Sequence, residues 1–165
     1  MATNVTRALR MPYVLHAQFQ DDLGTTQHYI PFNSTVENTA IGQEYTGFIA
    51  PFDLKLQKVA LRCSQDISGA TWTISMWAID SGTTHTHGSV TGANFRIGSG
   101  GAADTNAIFD FTGTVGLGFS STGGSNAVTA GQWVDFAINA HSDVTTSSAE
   151  FWLTFFFMAD LSNTI

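Results

Sequence analysis

The chain has 165 residues, a length that suits one domain built around a single core. Thirteen acids against six bases give a formal charge of −7, which argues against a protein that coats nucleic acid. Only 12% of the residues are charged and 43% are hydrophobic, which argues against a disordered chain. A single cysteine excludes an internal disulfide, and no apolar run approaches the roughly 20 residues of a membrane-spanning helix.

Residues 1–12 are predicted to form an arm ahead of one folded domain at residues 13–165. Arg7 and Arg10 make the arm basic, whereas the predicted domain keeps four bases against all 13 acids. A basic arm on an acidic body is suited to contacting a neighbouring subunit, although a frayed terminus has the same pattern. The segment lacks the cationic start and apolar stretch of a signal peptide, so we expect folding in a cytoplasm with Cys63 reduced.

The rest of the chain reads as short strands. No window shows the 3.6-residue apolar spacing of a helix, whereas Thr, Val and Phe recur in short runs. Strands are predicted, in chain order, at 13–19, 27–32, 45–50, 54–63, 71–80, 90–97, 107–112, 115–119, 132–139 and 149–158. This spacing predicts an all-β fold, namely an antiparallel, jelly-roll-like sandwich of about eight to ten strands.

The strand predicted at 149–158 is apolar on both faces. Its alternate positions form two sets: Phe151, Leu153, Phe155 and Phe157 on one face, and Trp152, Thr154, Phe156 and Met158 on the other. A strand that is apolar on both sides is covered on both sides. We therefore expect a neighbouring subunit, or a long loop of the same chain, over Trp152 and Phe156. The first alternative makes these two residues candidate partner contacts together with Arg7 and Arg10.

The sequence gives little evidence of a catalytic site. Cys63 lies late in a predicted strand, which is typical of a small buried hydrophobe. Residues 98–103 match the glycine spacing of a dinucleotide-binding loop, but loop and strand residues follow them instead of a helix, so we interpret them as a flexible loop. The acids, Glu37 included, lie mostly at predicted turns, where Asp is ordinary turn chemistry, and nothing favours a catalytic pair. We expect no enzymatic activity and no cofactor.

Two further patterns suggest ligands. His85 and His87 point to one side if their segment is extended, and three such pairs at a trimer axis would offer six nitrogens to a first-row metal. A solvated hairpin loop explains the pair more simply, so we expect no metal there. The four tryptophans suit stacking on sugar rings, but all of them lie in predicted strands, which favours packing.

Three segments resemble small β-sandwich virion proteins of tailed bacteriophages. These segments are residues 47–52 (Gly-Phe-Ile-Ala-Pro-Phe), 54–62 and 71–77, so the resemblance covers roughly residues 45–80. It is strongest to capsid decoration (cement) proteins and fibre-like appendages. The resemblance implies a homotrimer without enzymatic activity that clamps capsid subunits or displays a surface.

The implied partners are further copies of the chain and the major capsid protein or other virion proteins, with no nucleic acid and no membrane. The implied location is the virion, assembled in the host cytoplasm. The sequence thus favours a capsid decoration protein. A phage fibre or receptor-binding head module is the first alternative, and a carbohydrate-binding lectin domain is the second. The lack of a coiled coil or β-helix shaft counts against a complete tail fibre.

Overall fold

The computed structural model describes residues 9–37, 39, 46–79, 94–112, 126–140, 146 and 148–161, with the backbone alone at 94–98. The regular elements in these residues are all strands, as the sequence predicts. They are β1 (Arg10–Asp21), β2 (His28–Tyr29), β3 (Gly47–Ile49), β4 (Asp53–Cys63), β5 (Thr71–Ile79), β6 (Asn94–Ser99), β7 (Asn106–Asp110), β8 (Ala127–Val128), β9 (Trp133–Ala140) and β10 (Ala149–Asp160). No helix long and apolar enough to cross a membrane occurs among the described residues.

The strands form two antiparallel sheets. Sheet A has the order β1-β10-β4-β7, with β8 following β7 along the same edge of β4. Sheet B has the order β2-β9-β5-β6, with β3 following β2 along the same edge of β9. Each sheet thus has four rows of strands, and this order is that of an eight-row jelly roll. The predicted fold class is confirmed.

The core lies between the sheets and is rich in phenylalanine. The two-residue alternation of β4 and β10 turns every second side chain inward, so that Phe155 and Phe157 are 0% and 2% exposed. The ring centroid of Phe136 from sheet B lies 4.3 Å from that of Phe155 from sheet A. Phe32, which follows β2, adds a third ring 5.2 Å from Phe155. These contacts fix how the two sheets pack together.

In the described residues, the strands that are covered on both faces lie in sheet B, and no loop covers the outer face of β10. Both faces of β5 and β9 in sheet B are buried, whereas Phe156 on the outer side of β10 is 40% exposed. Outside β5, Trp77 is 9% exposed and packs against Tyr29 with ring centroids 5.3 Å apart. Sequence alternation identified the two faces of each strand but not which outer face would be covered.

Two strand assignments also differ from the prediction. β1 begins at Arg10, three residues before the strand predicted at 13–19, because residues 10–12 pair with 158–160 of β10. β8 was missed because it is only two residues long. The strand predicted at 115–119 lies outside the described residues, as do residues 1–8 of the predicted arm, and the domain boundary at residue 12 stays a prediction.

Candidate functional site

The outer face of sheet A carries exposed apolar side chains in adjacent strands. Val14 of β1 pairs with Phe156 of β10, and these residues are 41% and 40% exposed. In the neighbouring rows Pro12 pairs with Met158, and Ile108 of β7 is 57% exposed. Cross-strand neighbours on one face are in contact, so Pro12, Val14, Phe156 and Met158 form a surface that we call the apolar face. Trp152 lies on the same side of β10 beyond Thr154, and Ile108 lies on the far side of β4, opposite Ala60.

Cationic side chains lie beside the apolar face. Lys55, Lys58 and Arg62 project outward from β4, and all three residues are exposed. Lys58 pairs with Phe156, and Lys55 pairs with Met158. Three of the four bases in residues 13–165 therefore lie on one side of an acidic protein. A surface that combines apolar and cationic groups suits an acidic partner.

The predicted contact residues occupy different environments. Trp152 is half-buried, and the guanidinium carbon of Arg62 lies 6.0 Å from its ring centroid. Arg10 is exposed at the start of β1 and lines a groove of about 630 Å³ that also reaches Asp53, Lys55 and Met158. Phe156 and Arg10 are thus open to solvent and Trp152 partly so, while Arg7 lies outside the described residues.

Three interpretations of single residues agree with the structure. Cys63 is 1% exposed, and burial raises the pKa of its thiol, which suits a core residue and not a nucleophile. Trp72 and Trp77 are buried, so neither is a platform for a sugar ring. The 98–103 segment leads into strand β7, not into a helix. His85 and His87 lie outside the described residues, and the absence of metal there stays a prediction.

A second feature, which the sequence did not reveal, is a cluster of Asp21, His28 and Glu37. Nδ1 of His28 lies 3.0 Å from Oδ2 of Asp21 and 2.8 Å from Oε2 of Glu37. All three atoms are closed to solvent, and none makes a well-formed hydrogen bond within the described part of the chain. The three atoms lie within 4.8 Å of one another, and the tautomer of His28 with its hydrogen on Nε2 leaves Nδ1 able to ligate a cation together with the two carboxylate oxygens.

Different elements bring this cluster together. Asp21 ends β1 in sheet A, His28 begins β2 in sheet B, and Glu37 lies in the segment after β2. Burial raises the pKa of Glu37, Asp21 raises it further, and His28 opposes both effects. The sequence predicts Glu37 at a turn and His28 in the strand at 27–32. Nothing in their spacing indicates that the three side chains meet.

The fold is a jelly roll by its own strand pairing, and the comparisons with known proteins give distant matches only. No family model matches the sequence, and no curated protein is similar to it. The solved structures similar to the chain include that of infectious bursal disease virus, Gt strain, at 10% identity and a TM-score of 0.47. The match covers 93% of this chain and 33% of that one.

Two bacteriophage capsids are also similar to the chain. A cyanophage capsid asymmetric unit has 15% identity and a TM-score of 0.35, and the match covers 96% of this chain and 98% of that one. The acid-stable capsid of a Helicobacter pylori bacteriophage has 10% identity and a TM-score of 0.32. The match covers 91% of this chain and 93% of that one. The chain spans about a third of the length of the first two structures it matches, both of infectious bursal disease virus.

Proposed function

We propose that the chain is a structural protein of a bacteriophage particle, a capsid decoration protein that forms a homotrimer on the shell. The observation that carries this proposal is the apolar face with its cationic border. Val14 and Phe156 expose 41% and 40% of their surface at paired positions on one side of the domain. Contiguous apolar surface of this kind is typical of an interface.

The charge distribution supports a ring of copies, of which a trimer is one, over a two-fold dimer. A three-fold ring joins two different surfaces of neighbouring copies, so the surfaces have to be complementary and not identical. Lys55, Lys58 and Arg62 border the apolar face, while the chain as a whole carries a charge of −7. The cationic border of one copy therefore has acidic surface to meet on the next copy, and opposite charges favour that register.

The proposed role is structural and not enzymatic. The resemblance of residues 47–52, 54–62 and 71–77 to small virion proteins supports a place in the particle. Cys63, the one thiol, is buried in the core, where it is unsuited to nucleophilic chemistry. The major capsid protein is the proposed partner of the assembled trimer.

The number of copies in each virion tests this proposal. Quantitative mass spectrometry of purified particles should find the chain in a copy number comparable with that of the major capsid protein. Particles that lack the chain should lose their genome at a lower temperature, and adding the purified protein back should restore the original temperature. A copy number of only a few per particle would contradict decoration and favour a receptor-binding module.

A further inference from the structure

We propose that Asp21, His28 and Glu37 form a binding site for one divalent first-row transition metal ion in octahedral coordination. Water molecules would complete the coordination of the ion. This inference does not depend on the proposed virion function, because it rests on the geometry, chemistry and burial of these three side chains.

The distances fit ligands that share one ion. Adjacent ligands about 2.0–2.1 Å from a metal and at right angles to each other are about 2.8–3.0 Å apart. The two separations from His28 Nδ1 are 2.8 and 3.0 Å, and all three donor atoms lie within 4.8 Å of one another. Tetrahedral ligands at about 2.0 Å would be about 3.3 Å apart, so the octahedral arrangement agrees better with the observed distances.

The donor set selects the class of ion. Calcium takes oxygen ligands at about 2.3–2.6 Å, which requires wider spacing, and magnesium prefers oxygen ligands and retained water. An imidazole nitrogen suits first-row transition ions, and the two carboxylates suit the harder members such as manganese. Asp21, His28 and Glu37 together thus match ions such as Mn²⁺, Fe²⁺ and Co²⁺ in size and in chemistry.

Electrostatics gives an independent reason for a cation. Two carboxylates close to one imidazole carry at least one negative charge in excess when both are ionised, and burying unpaired charge is costly. The side chains of His28, Glu37 and Asp21 are only 12%, 17% and 21% exposed. A divalent ion would neutralise this charge.

Neighbouring hydrogen bonds hold the ligands in place. Oδ1 of Asp21 accepts the backbone N–H of Asp22 at 2.7 Å, which leaves Oδ2 directed at the cluster. The connection between β1 and β2 is fixed at Leu23, whose N–H donates to Oγ1 of Thr146 at 2.8 Å. His28 itself pairs with Ile138 of β9. Outer contacts of this kind orient metal ligands before the ion binds, and an ion here would link sheet A to sheet B.

The experiment titrates the full chain with Mn²⁺ after chelator treatment and follows the electron paramagnetic resonance signal of the free ion. We expect saturable binding of one Mn²⁺ per chain. The affinity should fall at least about tenfold in His28→Ala and in Glu37→Gln. Zn²⁺ and Co²⁺ should displace Mn²⁺ more readily than Ca²⁺ does.

Matched variants separate this site from the other histidines. His16→Ala removes a histidine that is exposed on β1 and lies 3.0 Å from Oγ1 of Thr154, and it should leave binding unchanged. The double variant His85→Ala with His87→Ala should also leave binding unchanged. Circular dichroism checks that each variant folds. In the wild type, bound Mn²⁺ should broaden the imidazole NMR signals of His28 before those of His16, a readout that requires no variant.

Four results would overturn the proposal. The first is the absence of saturable binding up to millimolar Mn²⁺. The second is binding that keeps its affinity in a folded His28→Ala or Glu37→Gln variant. The third is binding that disappears when His85 and His87 are replaced. The fourth is NMR broadening that leaves the His28 signals unaffected.

Discussion

The turn between β4 and β5 is stabilised by one exposed carboxylate. Oδ1 of Asp66 accepts the backbone N–H of Ser68 at 2.9 Å and its hydroxyl at 2.7 Å. Both bonds favour the ionised carboxylate, and they lower the pKa of Asp66 below its ordinary value of 3.8. A carboxylate whose pKa is depressed in the folded state stabilises the protein above its unfolded-state pKa, and that stability is lost as the pH falls through the folded-state pKa.

We predict that Ser68→Ala raises the pKa of Asp66 and destabilises the protein more at neutral pH than at strongly acidic pH. The substitution removes the hydroxyl donor and keeps the backbone donor, so the effect should be partial. Carboxyl-carbon NMR titration measures the pKa, and urea unfolding at pH 7 and near pH 3 measures the stability. An unchanged pKa of Asp66, or a loss of stability that is the same at both pH values, would contradict the prediction.

The role of a single residue can be predicted from the sequence when its contacts are with residues close to it in the chain. Asp66 bonds to a residue two positions away, so the general rule for Asp at turns predicts its role. The burial of Cys63 follows in the same way from its place in a strand. Asp21, His28 and Glu37 meet where the connection from β1 in sheet A to β2 in sheet B brings the end of one strand beside the start of the next. That contact depends on the whole fold, and no local pattern predicts it.

The loop between β6 and β7 packs closely against the turn that precedes β5. Gly100 donates its N–H to the carbonyl oxygen of Ala70 at 3.0 Å, and Ile67 donates to the carbonyl oxygen of Gly101 at 3.0 Å. A Cβ atom on Gly100 would lie 2.1 Å from the carbonyl oxygen of Ile67. The glycine-rich sequence predicts a flexible loop, whereas these backbone hydrogen bonds hold the loop against the turn that precedes β5.

We predict that Gly100→Ala lowers the free energy of unfolding by about 1–3 kcal/mol, because the backbone has to move to admit the methyl group. Gly69→Ala is the matched control, since a Cβ there would meet nothing within 4 Å. It should change stability by no more than about 0.5 kcal/mol. Urea denaturation of both variants provides the comparison, and equal effects would show that the close approach at Gly100 is not what constrains the loop.

Strand β10 offers a second matched pair, on opposite faces of one strand. Phe155 is 0% exposed and packs against Phe136, whereas Phe156 is 40% exposed. We predict that Phe155→Ala lowers the free energy of unfolding by about 3–5 kcal/mol, because it leaves a cavity in the core. Phe156→Ala should cost the monomer no more than about 0.5 kcal/mol. Measurements at high dilution, where any oligomer dissociates, make the comparison, and a larger loss for Phe156→Ala would contradict this assignment of the faces.

At the scale of strands, the sequence predicts which side chains share a face but not what covers each face. The alternation of β5 and β9 correctly separates the core set, with Trp72 and Phe136, from the outer set, with Trp77 and Ala137. Large apolar residues occur on both faces of β5 and of β10. Tyr29 packs over Trp77 outside β5, while Phe156 outside β10 remains exposed. This difference arises from tertiary packing.

At the scale of the whole molecule, the class of fold was predictable and the strand order was not. Short alternating strands without helices are sufficient to indicate a sandwich. The pairing of β1 with β10 joins the two ends of the described chain, for example Arg10 with Asp160. Such long-range pairing depends on how all the strands fit together. The arm predicted at residues 1–12 overlaps the start of β1, where Pro12 pairs with Met158.

We predict that the wild-type protein is a trimer in solution and that Phe156→Asp converts it to a monomer. A carboxylate placed on the apolar face would be buried without a partner at the interface between copies, which is costly. The wild type should have about three times the chain mass of 17.7 kDa in size-exclusion chromatography coupled to light scattering, and Phe156→Asp about one chain mass.

Ile49→Asp provides the control for this last prediction. Ile49 is 63% exposed in β3 of sheet B, so the substitution adds the same charge at a position outside the apolar face. The variant should remain a trimer. Because charge at Lys55, Lys58 and Arg62 also contributes to the proposed contact, high salt should weaken the wild-type trimer but should not abolish it. A monomeric wild type, or dissociation by Ile49→Asp but not by Phe156→Asp, would show that the apolar face does not join the copies.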